Sequence, residues 1–165
     1  MNTQQFMSMN LVELKPSRKN PQPGDVFVYM VKQKPNQFWF GQVIRIDSSV
    51  GPFKNTILIY LFNHHSTDKH NVPVLSFDAL LVPPIHTNKL PWTKGCFETV
   101  KNIGLVKEHL LPYHHFRDAF GGRVFDADSR PVTNPGPVLG EYGLDSFKTI
   151  DDSISKALGI PLFKE

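Results

Sequence analysis

Three apolar runs follow one another between residues 25 and 62: DVFVYMV (25–31), QFWFGQVIRID (37–47) and NTILIYLF (55–62). Each is rich in β-branched and aromatic residues, is bounded by turn-forming residues, and reads as a strand. The links between them are short, one containing Pro35 and the other Gly51-Pro52. Links that short join neighbouring strands, so the predicted arrangement is an antiparallel meander.

Within the second run, period-two alternation puts Phe38, Phe40, Gln42, Ile44 and Ile46 on one face and Trp39, Val43 and Arg45 on the other. Gly41 at its centre predicts a sharp bend or a close backbone approach. A bent second strand lets the meander curl into an SH3-like partial barrel, which would remove exposed edges. The expected class is therefore α+β, mainly β: a curled meander with short helices and a C-terminal helix packed on it.

Residues 1–22 are expected to be a polar lead-in with one short ordered piece over 6–14, and 23–165 a single domain. Residues 63–72 (NHHSTDKHNV) read as a polar loop and 75–82 as a helical turn ending before Pro83-Pro84. A proline-containing connector then leads to a strand over 96–100. A helical turn is expected over 106–111, and short edge strands over 114–116 and 123–126. The clearest helix lies at the end. Thr149 reads as its N-cap, with Asp151 and Asp152 at the positive end of the dipole. Ile150, Ile154 and Leu158 form its apolar stripe, and Gly159 and Pro161 end it.

Composition limits the function classes. The formal charge is only +3, from 18 Lys+Arg against 15 Asp+Glu. Bases exceed acids 7 to 3 over residues 1–60, while acids exceed bases 7 to 5 over 121–165. No dense basic stripe marks a nucleic-acid footprint. The single cysteine, Cys96, excludes an internal disulfide and fits a reducing compartment. The first twenty residues hold no uninterrupted apolar stretch, and no run is long enough to span a membrane. The cytoplasm is the expected location.

No catalytic constellation stands out. HHSTDKH, with His64, His65 and His70, matches no zinc spacing, so a solvated turn is the plainer reading. Cys96 sits among bulky apolar neighbours and reads as a small buried hydrophobe. There is no phosphate loop or dinucleotide fingerprint. No metal, cofactor or enzymatic activity is expected. Trp92, in LPWTKGCFETV, fits either a core anchor or an interface anchor. Tyr142 and Phe147, in GEYGLDSFK, read as packing inward.

Taken in order, GDVFVY (24–29), FGQVIRI (40–46), LLVPPI (80–85), PWTKGCFETV (91–100) and YGLDSFKTIDDSISKALGIP (142–161) resemble the immunity protein 26 family of bacterial polymorphic toxin systems. The resemblance spans residues 24–161 and implies an antitoxin. Such a protein binds a cognate secreted toxin domain and covers its active site or an essential surface, with no cofactor. A stoichiometric inhibitor carries its contacts on loops held by a rigid scaffold. Loops 32–37, 48–54 and 63–72 are the expected places, with Phe38, His64, His65, Asp68 and His70 as candidate contact residues. Two other readings stay open: an SH3-like nucleic-acid-binding module, suggested by the meander and a pI of about 9.0, and a small hydrolase built on the histidine loop. Nothing in the sequence sets the oligomeric state.

Overall fold

The computed structural model describes residues 8–163. The strands in chain order are β1 (Asp25–Tyr29), β2 (Phe38–Val50), β3 (Phe53–Ser66), β4 (Ile85–Thr87), β5 (Glu98–Asn102), β6 (His115–Arg117), β7 (Val124–Asp126), β8 (Pro131–Val132), β9 (Leu139–Glu141) and β10 (Leu144–Asp145). They form a six-stranded sheet, β10-β4-β3-β2-β1-β5, and a four-stranded sheet, β8-β7-β6-β9. All pairs are antiparallel except β10–β4 and β6–β9. Helices are short, α1 (Leu90–Thr93) and α2 (Phe147–Ala157), with single 3-10 turns at Phe77–Ala79 and Lys107–His109. The class is α+β and mainly β, with the expected meander β1-β2-β3 at its centre. The strand order of the larger sheet runs from β10 to β5 without closing into a ring.

The continuous apolar runs follow from a sheet buried on both faces. Phe27 and Tyr29 of β1 and Ile57, Ile59 and Leu61 of β3 enter one core, closed by Trp92, Phe97, Ile150 and Ile154. Val26, Val28, Leu58, Tyr60 and Phe62, the alternate residues, enter a second core, closed by Leu111, Phe116 and Ala127. Each fully buried apolar side chain contributes about 1.5–3 kcal/mol, so these two layers dominate the stability.

Gly41 makes a close approach. It pairs with Phe27 across the β1–β2 ladder, and a Cβ there would run into the Phe27 ring and lie 3.0 Å from the Tyr60 carbonyl oxygen. The alternation expected for β2 holds only up to Ile44. Val43 faces Ile59 and Arg45 faces Leu58, so two steps on β2 match one on β3. This bulge exchanges the faces beyond it. Ile46 therefore joins the core of Trp39 and Val43 rather than that of Phe40 and Ile44, while Arg45 reaches Asp128.

Several boundaries differ from expectation. β3 continues through Asn63, His64 and His65 to Ser66, so the polar loop starts four residues later. β4 and α1 lie in the stretch read as a connector. β6 and β7 occupy the interior of their sheet, not its edges.

The described part of the lead-in is firmly held. Met9, Asn10 and Leu11 are buried, Leu11 bridges Val31, and Val12 N–H donates to the Met30 carbonyl at 3.0 Å. Two apolar residues at strand spacing, Met9 and Leu11, enter the first core and help anchor this otherwise polar segment. Phe6 lies outside the described residues. Further along, Leu14 N–H donates to the Gly95 carbonyl at 2.8 Å, and the Pro16 ring packs where a Gly95 side chain would project. With φ at +88°, Gly95 adopts a backbone that side chains disfavour.

The N-cap of α2 is Ser146, not Thr149: its Oγ accepts Thr149 N–H at 3.2 Å. Asp151 is consequently one turn inside the helix and faces the core. Its Oδ1 accepts the backbone N–H of Asn10 at 3.0 Å and of Leu11 at 2.7 Å. Ile150 and Ile154 are buried as expected, Leu158 packs beside them, and Gly159, at φ +70°, ends the helix.

Candidate partner-binding surface

Phe38 opens β2 opposite Ser66, and Trp39 pairs with His65, at the end of the sheet where β3 finishes. The structure therefore brings the candidate contacts Phe38, His64, His65, Asp68 and His70 to one end. Phe38 is half-buried against the core of Phe40, and His64 is half-buried; His65, Asp68 and His70 are exposed. The His65 ring lies against the buried Trp39, with ring centres 4.7 Å apart.

The turn after Ser66 is organised by its own side chains. Ser66 Oγ accepts Asp68 N–H at 3.1 Å, and Asp68 Oδ1 accepts His70 N–H at 2.9 Å. Lys69 pairs with Glu98 of β5 at 2.8 Å and ties the turn to the sheet. Among the described residues, no three of His, Cys, Asp or Glu stand together in a way that could hold a metal ion. Of the three loops expected to carry contacts, 32–37 and 63–72 flank this end. The Gly51-Pro52 turn lies at the other end of the β2–β3 hairpin.

The most chemically suggestive group lies inside the protein. His86 Nδ1 stands 3.2 Å from Ser48 Oγ and 3.1 Å from Thr56 Oγ1, and Ser48 Oγ donates to the Thr56 carbonyl at 2.9 Å. A serine beside a histidine is the nucleophile–base pairing of acyl-transfer enzymes. Here both residues are fully buried, and the His86 ring packs on Phe116 with centres 4.2 Å apart. Burial, reinforced by the Arg45 cation, lowers the His86 pKa to about 4. His86 is therefore a neutral core histidine whose Nδ1 meets two hydroxyls, while its Nε2 is buried without a hydrogen-bond partner. Sequence reasoning had no means of singling it out, because its partners lie 38 and 30 residues away in the chain.

Around this group, Tyr60 Oη lies 2.6 Å from His114 Nε2 and accepts Leu111 N–H at 3.0 Å. Arg45 Nη2 meets Asp128 Oδ1 at 2.6 Å and joins the two sheets. Burial comes first among the causes that lower the His114 pKa to about 4, followed by Arg45. The Tyr142 hydroxyl accepts Gly51 N–H at 2.8 Å and donates to Ser129 Oγ at 2.9 Å, with its ring stacked on Phe125. Phe147 packs against the first core.

Cys96 is buried, and burial pushes its thiol up to about 12, far from a reactive thiolate. Trp92 is a core anchor: it meets Phe27 and Phe97 edge-on, each at 5.2 Å, while those two rings stack at 4.4 Å. No helix among the described residues is long and apolar enough to cross a membrane.

Compared with known protein families, residues 22–126 match Immunity protein 26. The matched span runs from just before β1 to the end of β7, and so includes the meander, the histidine turn and the PWTKGCFETV segment; the C-terminal part of the resemblance lies beyond it. No curated protein and no solved structure matches.

Proposed function

This chain belongs to the Immunity protein 26 family, and from that premise we propose that it binds a cognate toxin domain in the cytoplasm of the cell that makes it. It neutralises that toxin by covering the active site or another essential surface. The observation that carries the reading is the family match across the whole central meander.

The physical character of the fold supports it. Both faces of the large sheet are filled by side chains, Ser48 is buried, and burial keeps His86 and Cys96 neutral. What remains for function is the exterior, carried by a rigid two-core scaffold that loses little entropy when a partner docks. A standard interface takes about 800 Å² from each partner. That is about a tenth of the 8960 Å² the chain exposes, so one side of this molecule suffices.

The test is co-expression with the toxin domain encoded beside the chain's own gene. The proposal expects restored growth and a complex that co-purifies. Continued killing with no complex would refute it.

A further inference from the structure

We infer that the toxin is gripped not at the histidine turn but at the opposite end of the β2–β3 hairpin, in a basic groove that fits an acidic patch bearing one protruding apolar side chain. This rests on the immunity reading above and adds to it the surface and the chemistry of the partner.

The groove has a volume of about 500 Å³. Its apolar lining comes from Ile46, Phe53, Ile57 and Leu144. Phe53, the first residue of β3, leaves 49% of its surface exposed. Amides at Asn20 and Gln22 line one side and Asn88 another. Lys89 braces these walls, donating to the Arg18 carbonyl at 3.1 Å and to Asn20 Oδ1 at 2.9 Å. These bonds link the walls in the unbound protein.

Charge selects the partner. Among the described residues, Lys54 and Lys89 line the groove and no Asp or Glu does. The segment that supplies Asn20, Pro21 and Gln22 also carries exposed Lys15, Arg18 and Lys19 against one exposed acid, Glu13, with Arg18 and Glu13 lining a separate groove. Three carboxylates neighbour the lining residues, and of these Asp25, bonded to neutral N–H groups, keeps its negative charge. Asp25 accepts from Gln22 N–H and Asn102, Asp47 pairs with Arg45, and Asp145 lines a separate groove beside Glu141. A lining of one sign around an apolar pocket favours a partner of the opposite sign and anchors it by a buried side chain. A protein patch fits better than a nucleic-acid strand, because strand binding uses a series of aromatic platforms and, among the described residues, Phe53 is the one aromatic ring in this lining.

The probe is the toxin domain encoded beside the gene, titrated against the full chain and three variants. Phe53→Ser with Lys54→Glu alters the groove, Arg18→Glu with Lys19→Glu alters its rim, and His64→Ala with His65→Ala and His70→Ala alters the far end. Each groove or rim variant is expected to weaken binding by about tenfold or more, with a shallower salt dependence of association. The histidine variant is expected to bind within about threefold of the unmodified chain, as rim-like contacts do. Thermal unfolding of each variant separates lost contact from lost fold.

If the unmodified chain binds and the groove variants bind equally well, or only the histidine variant fails, the groove assignment is wrong and the immunity reading stands. If the unmodified chain does not bind the toxin domain, both fall. Binding of a short single-stranded DNA that is lost in the Lys54 variant, with no toxin complex, would reassign the same surface to nucleic acid and overturn the inference.

Discussion

Asp151 on the C-terminal helix accepts the backbone N–H of Leu11 at 2.7 Å, joining residues 140 positions apart in the chain. The same oxygen takes Asn10 N–H at 3.0 Å, and Asn10 Nδ2 returns a bond to Ser155 Oγ at 2.8 Å. Residues 10–11 and the C-terminal helix are thereby fastened together over the first core.

Replacing Asp151 by Ala leaves two buried N–H groups without an acceptor and should cost about 3 kcal/mol. Asp151→Asn keeps one acceptor oxygen and removes a buried charge, so its cost should be below about 1 kcal/mol. Urea unfolding measures both. Equal stability of Ala and Asn variants would mean that the clasp does not operate.

His86 sets a pH dependence. Its folded pKa of about 4 lies below the ordinary histidine value, so the unfolded chain binds the proton more tightly. The stabilisation is complete above about pH 6.5 and is lost as pH falls toward 4, by about 3 kcal/mol in all. In His86→Phe, with Ser48 and Thr56 still bonded to each other, that part of the slope should vanish from unfolding curves taken between pH 7 and 4. His114 contributes a slope of the same sign and remains in the variant as an internal reference.

Asp145 acts in the opposite sense. Burial, with Glu141 adding, raises its pKa to about 6. The folded state then binds the proton more tightly, so a penalty is present above about pH 6 and is relieved as pH falls toward 4. Asp145→Asn should stabilise the protein at pH 7.5 by about 1–2 kcal/mol after allowing for its partial exposure, and have no effect at pH 4. Destabilisation at pH 7.5 would reverse this assignment.

Gly41→Ala puts a methyl group into the Phe27 ring. Displacing a fully buried ring should cost about 1–3 kcal/mol, measurable as a lower denaturation midpoint. An unchanged midpoint would show that the ring moves freely.

What could be read from the chain was whatever depends on local pattern. Phe27, Tyr29, Ile57 and Leu61 announced their strands because a sheet buried on both faces needs uninterrupted apolar residues. The resemblance across PWTKGCFETV pointed to the family that the matched span supports. Ile46 was placed on the wrong face because a bulge depends on the partner strand, which the run itself does not encode. Thr149 and Ser146 are both good caps, and only the β10–β4 pairing that ends at Asp145 decides between them. The buried His86 and the Lys54–Lys89 groove unite residues distant in the chain, and local pattern says nothing of them.

The proposed role comes down to whether the exterior of this chain silences a toxin by occupying it. The direct measurement is the residual activity of the adjacent toxin domain as the chain is added in increasing amounts. Activity should fall linearly and reach zero at a one-to-one ratio, as for a tight covering inhibitor. Undiminished activity at a large excess of the chain would contradict the account.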